Sequence, residues 1–450
     1  MEHLFDNGVT VKRFAGFVAP SVVMMLVIGL YSIVDTIFIA NCVNTHALAA
    51  LNIVYPIFGV IWGVSVMMSS GSSAIVAIRL GEGKIREANE KFTLIYIVAA
   101  VLALIMITFA LIFIDPLIRF LGASDVLWDY CRTYGFIIIL AMPGGFIGVL
   151  FEYFIRVDGR PGFTLALYIV SGSVHIFLDY IFLVVMDMGI EGAAWATLTG
   201  MYTTVVMGAG YFIFADTKLK FVKPKIDWRF IGHSMANGSS EMISESSVGI
   251  MIFFFNMMMI DLAGENGVAA LTIVLDSFYL LISLYLGYIS GVAPLISFFY
   301  GAREYSKVNC FLRYSKIFTA ASAAGLSAIC FLCAPALTGI FVSPGTPVYE
   351  MSVSGIRFLT GAFLFVGVNI FASGFFTAYG NGKISALISI SRGLVIIIIL
   401  GYLLSHFFGI AGLWLSFTFS EVLTAVLTFF LFRRYRDRYH YSFKQASGAR

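Results

Sequence analysis

Apolar residues recur along this chain in twelve blocks, and polar residues gather between them. The first six blocks cover roughly residues 14–40, 47–78, 92–114, 126–156, 162–186 and 191–214. The second six cover roughly 231–260, 267–299, 314–341, 351–378, 384–406 and 410–432. A helix needs about 20 apolar residues to cross a bilayer. Several blocks exceed that length, which predicts tilt or extension past the lipid. The pattern predicts an all-α polytopic membrane protein with twelve transmembrane helices.

The two sets of six resemble each other. "ALAALNIV" at 47–54 matches "GVAALTIV" at 267–274, an offset of 220. Without a gap, Ser70-Gly71 meets Ser290-Gly291, Gly81 meets Gly301, and Asn89 meets Asn309. The same offset pairs "GIEG" at 189–192 with "GIAG" at 409–412. Two copies of a six-helix unit are predicted, one over residues 1–220 and one over 221–450. An even number of helices per copy makes the copies parallel, an arrangement found in transporters that bind substrate between their halves.

Composition narrows the class. Of the 450 residues, 60% are hydrophobic and 12% charged, against roughly 25% charged in soluble domains. A soluble enzyme or a nucleic-acid-binding module is excluded. All but three of the 28 Lys and Arg residues fall on one side if the N-terminus is placed inside; Arg119, Arg132 and Arg357 are the exceptions. The bias predicts that both termini are cytoplasmic and that the chain lies in the plasma (inner) membrane. Cys42, Cys131, Cys310, Cys330 and Cys333 are scattered among apolar residues and read as small buried hydrophobes. Metalloprotease, serine-hydrolase and Walker A signatures are absent, which argues against an enzyme; with no cofactor beyond a coupling ion, any pumping must draw on an ion gradient or on an unseen partner.

Ionisable residues inside the spans are the best pointers to function. Asp35 sits in "LYSIVDTIFIANCV" with no nearby cation, and a bare buried carboxylate costs several kcal/mol unless it is protonated or paired. "VHIFLDY" places His175 and Asp179 at i, i+4, on one helix face. At 1.5 Å per residue, Asp35 and Asp179 lie at similar depth, about 30 Å and 27 Å along their spans. If these helices pack together, the carboxylates and the imidazole can hold a proton or Na⁺. The alternative is a fixed hydrogen-bond network. In the second copy, "SSEMISESS" sets Glu241 and Glu245 one turn apart. Asp276, Glu421 and Arg392 follow on later spans. Glu241 and Glu245 are either cation-attracting cavity groups or structural partners of Arg392, and Asp276 and Arg392 are further candidates for a substrate cavity. Glu152 and Arg156, also i, i+4, read as a local ion pair. Pro20 in the first span is a candidate hinge.

Several stretches carry a family resemblance: "VDTIFIA...ALAALNIVYPI", "SGSSAIVAIRLGEGKIREANE", "FIRVDGRP", "LDYIFL", "GIEGAAWAT" and "FFTAYGNGKISALISISRG". Together, in order and duplicated, they resemble the multidrug and toxic compound extrusion (MATE) transporters over essentially the whole chain. The resemblance implies two pseudo-symmetric six-helix lobes in a V, exchanging H⁺ or Na⁺ for organic cations or amphipathic drugs by alternating access. Asp35 and Asp179 match the coupling carboxylates of the prokaryotic branch, where His175 stands in place of the usual Asn. Imidazole favours proton chemistry over an oxygen cage for Na⁺. A monomer in the lipid bilayer is expected, with small-molecule substrates and no nucleic acid. A lipid-linked saccharide flippase of the same superfamily, or a membrane-embedded lipid-modifying enzyme, is the alternative reading.

Overall fold

A computed structural model describes residues 4–6, 8–43 and 45–441. Lys444 and Arg450, counted with the basic tail, lie outside these residues. Among the described residues the regular elements are all helices. The N-terminal copy contains α1 (Val11–Cys42), α2 (Thr45–Gly81), α3 (Ile85–Ile112), α4 (Ile114–Phe120), α5 (Trp128–Val157), α6 (Pro161–Asp179) and α7 (Gly189–Phe214). The C-terminal copy contains α8 (Trp228–Gly301), α9 (Tyr305–Gly339), α10 (Pro347–Phe358), α11 (Thr360–Ala378), α12 (Gly382–Ile390) and α13 (Ile396–Tyr435).

Among the described residues, nine helices are long and apolar enough to cross a membrane. Two of these are each a pair of crossings. The backbone turns at Gly264 (φ 63°, ψ −153°) inside α8 and at Gly409 (φ 59°, ψ −138°) inside α13. Glycine is the residue that enters this left-handed region without strain. With α7, 26 residues rich in Gly, Ala and Thr, the crossings number twelve. The duplication is visible in the backbone. Gly189 and Gly409, and likewise Gly83 and Arg303, are 220 residues apart and all have positive φ. Two features lie outside the apolar pattern: the short α4, and π-helical turns at Tyr180–Val185 and Ser391–Val395. Pro20, the hinge candidate, lies within an unbroken α1.

The lobes meet through α1 and α2 of the first copy and α8 of the second. Their closest approach is built on glycine. A Cβ at Gly71 would stand 1.9 Å from Ser234 O, and one at Gly238 would stand 1.8 Å from Met67 O. The symmetry-related contact sets Gly291 against Val18 and Ser21 at 3.1–3.2 Å. A third contact is its own equivalent. A Cβ at Gly81 would reach Phe298 O at 1.9 Å, and one at Gly301 would reach Ile78 O at 2.1 Å. Ile78 and Phe298 are also 220 apart, so the pseudo-two-fold axis passes between Gly81 and Gly301. These contacts cluster toward the end of the molecule that carries most of the basic residues, called here the basic face.

The connection between the copies is strapped to the first lobe. Asp158 accepts from Lys218 N (2.8 Å), Leu219 N (3.3 Å) and the Tyr211 hydroxyl (2.6 Å). Asn89 accepts from Lys220 N, and Thr93 from Val222 N, both at 3.0 Å. Asp227 caps α8 through Phe230 N (2.9 Å) and pairs with Lys91 (2.9 Å). The Lys91 contact, then the Phe230 N–H, holds Asp227 below the usual carboxylate range. Its stabilisation is therefore complete above about pH 4 and is lost only as pH falls through the lowered value. Asp158→Ala orphans two backbone donors and a tyrosine hydroxyl; a loss of about 2–3 kcal/mol is expected, read as a lowered unfolding temperature in detergent.

Candidate functional site

The first site forms where α1 packs on α6. Asp35 lies one turn beyond Tyr31 on α1, while His175 and Asp179 occupy the last turn of α6. His175 Nε2 stands 3.5 Å from Asp35 Oδ1 and 3.4 Å from Asp179 Oδ2. Thr197 Oγ1 of α7 lies 3.3 Å from the same nitrogen. Gly200 lets α7 come this close, since a Cβ there would stand 3.2 Å from His175 Cβ. The Tyr31 ring meets the imidazole edge-on, with centroids 5.8 Å apart.

Burial makes this cluster chemically tense. Asp179 is fully buried, His175 is 7% exposed, and the Asp35 side chain 20%. Asp35 Oδ1 and both Asp179 oxygens have no hydrogen-bond partner within the usual distance. Two carboxylates cannot both stay bare at such a site without large cost. One side-chain atom from each of Asp35, His175 and Asp179 lies within 4.8 Å of the others. The arrangement can share a proton among three groups or gather a cation. The π-helical turn begins at Tyr180, immediately after Asp179, and such turns recur at functional positions because they displace one residue's direction.

The acids of the second lobe are arranged differently. Glu241 and Glu245 face the first lobe: a Cβ on Gly63 of α2 would lie 3.6 Å from Met242 Cγ and 4.0 Å from Glu245 Cβ. Tyr153 of α5 is within electrostatic reach of both glutamates. Glu245 and Asp276 are exposed and Glu241 is half-buried. Tyr55 and Tyr279 are also open, at 63% and 58%, and both are within reach of Glu245. None of these three acids forms an ion pair with a described residue.

Arg392 is committed elsewhere. Its Nη1 lies 3.2 Å from Glu421 Oε1. Asn369 donates to Glu421 Oε2 at 2.7 Å and accepts from Thr428 at 3.2 Å. The direct ion pair of Arg392 is thus with Glu421 rather than with Glu241 or Glu245, one of the two readings open from sequence, although Arg392 is within electrostatic reach of Glu241. Glu421 lies on α13, which packs against the turn that carries Arg392. Glu152 and Arg156 pair at 2.7 Å, with exposures of 4% and 0%. Tyr168 of α6 donates to Glu152 Oε2. Tyr31, Thr197, Tyr168 and Asn369 carry no charge and did not stand out in the sequence; helix spacing from Asp35, at i−4, could have flagged Tyr31. Cys330 and Cys333 are free thiols, and Cys330 donates to Ile356 O at 3.4 Å.

Comparison with known proteins bears on both lobes. The MatE family model matches residues 20–181 and again 241–403. The multidrug export protein MepA of Staphylococcus aureus is 23% identical over 447 residues, covering 97% of this chain and 96% of that protein. The protein of the same name from Staphylococcus saprophyticus is 21% identical over 444 residues, with the same coverage. Among solved structures, an outward-facing multidrug resistance MATE family transporter superposes with a TM-score of 0.89 at 23% identity, covering 95% of this chain and 96% of that one. A transporter of the wider superfamily from Pyrococcus furiosus gives 0.88 at 22%, covering 96% and 97%.

Proposed function

Because this chain belongs to the MatE family, with the family model matched once in each lobe, we propose that it is a secondary active exporter of organic cations and amphipathic drugs, driven by H⁺. The reading places it in the plasma membrane with both termini in the cytoplasm, as the distribution of Lys and Arg favours. One observation carries the choice of ion. His175 Nε2 sits between carboxylate oxygens of Asp35 and Asp179 that have no other partner. An imidazole there can take a proton and share it with either carboxylate, whereas it supplies no oxygen to a Na⁺ cage.

In this mechanism the deprotonated cluster is the costly state, and a proton arriving from outside relieves it. The contacts of α1 with α6 and α8 then change together, and a bend near Pro20 lets α1 repack. Substrate held between the lobes near Glu241, Glu245, Asp276 and the aromatic side chains Tyr55 and Tyr279 is released outward. Acidic groups and open aromatic faces suit cationic, partly apolar ligands. A saccharide-diphosphate flippase is less well supported, since Arg392 and Arg156 each already face a carboxylate.

The test is ethidium efflux from proteoliposomes under separately imposed pH and Na⁺ gradients. The pH gradient alone is expected to drive efflux; equal rates under a Na⁺ gradient alone would overturn proton coupling. His175→Asn substitutes a carbonyl oxygen for the ring nitrogen. This variant is expected to lose ΔpH-driven efflux by about tenfold or more and to gain a response to Na⁺, checked in the same assay.

A further inference from the structure

One face of α6 carries Thr164, Tyr168, Gly172, His175 and Asp179, spaced by three or four residues and so aligned in a stripe. The proton site occupies one end. At the other end the Tyr168 hydroxyl is hydrogen-bonded to Glu152, and Glu152 to Arg156. Gly172 lies between, beside Tyr31: a Cβ there would meet the Tyr31 ring at 3.9 Å, an ordinary contact distance. Tyr31 thus touches the imidazole on one side and lies within electrostatic reach of Tyr168 on the other. From His175 to Tyr168 is seven residues, about 10 Å.

The Glu152 end has spare bonding capacity. Arg156 is fully buried, yet its Nε and Nη1 have no partner, and neither has the buried Thr164 Oγ1. A Tyr168–Glu152–Arg156 network that served only to brace α6 on α5 would be expected to satisfy these atoms. Arg156 also stacks on Tyr153, 4.5 Å from the ring centroid, and Tyr153 is the side chain that senses Glu241 and Glu245 across the cleft. Glu152 stands five residues from the C-terminal end of α5, toward the basic face.

We propose that Tyr168 and Glu152 carry the coupling proton between the Asp35–His175–Asp179 cluster and the basic face, with Tyr31 bridging the Gly172 gap. This deepens the proton-coupled reading and rests on it. A proton reaching Tyr168 Oη from the Tyr31 side displaces that hydroxyl's own proton onto Glu152 Oε2. Each hydroxyl gains one proton as it gives up its own, so the bond broken at the cluster is balanced by the O–H bond formed on Glu152, and the negative charge lost at Glu152 reappears at the cluster. Neutral Glu152 loosens its hold on Arg156. Loss of the proton from Glu152 to water at the basic face restores the ion pair.

The experiment uses full-length protein in proteoliposomes, with ethidium as substrate and an internal pH dye. Two rates are read: net proton-coupled efflux, and substrate–substrate exchange, which requires no proton release. For Tyr168→Phe and Glu152→Gln the ratio of the first to the second is expected to fall about tenfold or more. The double variant Glu152→Gln/Arg156→Gln removes both charges and so guards against a folding defect from one unpaired charge. Its ratio is expected to stay low. A wild-type ratio in the single variants, or recovery of that ratio in the double variant, would reduce the pair to a structural brace and overturn the proposal. Wild-type protein whose net efflux proceeds without moving protons would overturn proton coupling itself, and the relay with it.

Discussion

Asp179→Asn is expected to slow ΔpH-driven efflux by about 100-fold or more while raising the unfolding temperature of the purified protein. The two effects have one cause. Asp179 is fully buried and its oxygens have no partner other than His175 Nε2, 3.4 Å from Oδ2, so the folded protein bears the cost of a carboxylate that one long contact compensates poorly. An amide of nearly the same shape removes that cost, since a neutral group is far cheaper to bury than a poorly paired charge. The same change fixes the position as neutral at every pH. The cluster then loses one of the two carboxylates between which His175 passes a proton, and proton loss no longer drives the return step. Transport and thermal stability should therefore move in opposite directions. Reduced efflux together with a lowered unfolding temperature would mark Asp179 as a structural group. Asp35→Asn is expected to reduce efflux similarly with a smaller gain in stability, because its side chain is 20% exposed and already partly hydrated.

The fold was largely legible because a bilayer imposes a strong, periodic demand on sequence. The twelve apolar blocks and the 220-residue repeat follow from that demand, and both reach the backbone as paired positive-φ positions such as Gly189 and Gly409. The edges were less legible. The reversal at Gly264 is a single residue inside a 74-residue helical run, and a short helix such as α4 carries too few residues to set a period. For the candidate site, ionisable residues in apolar surroundings advertise themselves, so Asp35, His175 and Asp179 could be named and their depths compared. Their partners could not. Thr197 reaches the imidazole only because Gly200 lets α7 approach. Asn369 joins Glu421 only because α11 and α13 pack together. Partner choice is tertiary: the sequence left Glu241 and Glu245 open as partners of Arg392, and helix packing sets it against Glu421. The π-helical turn after Asp179 has no local signature at all, since it is set by how the chain is held rather than by which residues it contains.

Gly238→Val is expected to suppress efflux by about tenfold or more through a different route, by preventing the lobes from closing at the basic face. The first atom of the new side chain would stand 1.8 Å from Met67 O and 2.9 Å from Gly71 N. Backbone atoms cannot swing aside as a flexible side chain can, so the helices must separate by more than an ångström. Forced overpacking typically costs about 1–3 kcal/mol, and more where the neighbour is backbone. That cost falls only on states in which α2 and α8 touch here. If alternating access requires this seam to open and close, the substitution biases the protein toward the state open at the basic face. A single cysteine placed at Ser234 in a background without the five native cysteines gives the readout. Ser234 is fully buried in the seam, and its labelling by a membrane-impermeant maleimide from the basic face should rise at least several-fold when Gly238→Val is added. Gly16→Val offers the control: it lies on α1 toward the same face, where a Cβ meets nothing within 4 Å, and should leave labelling unchanged. Suppressed efflux with Ser234 still protected would mean that the seam stays closed, and that the glycines serve assembly of the two lobes rather than their movement.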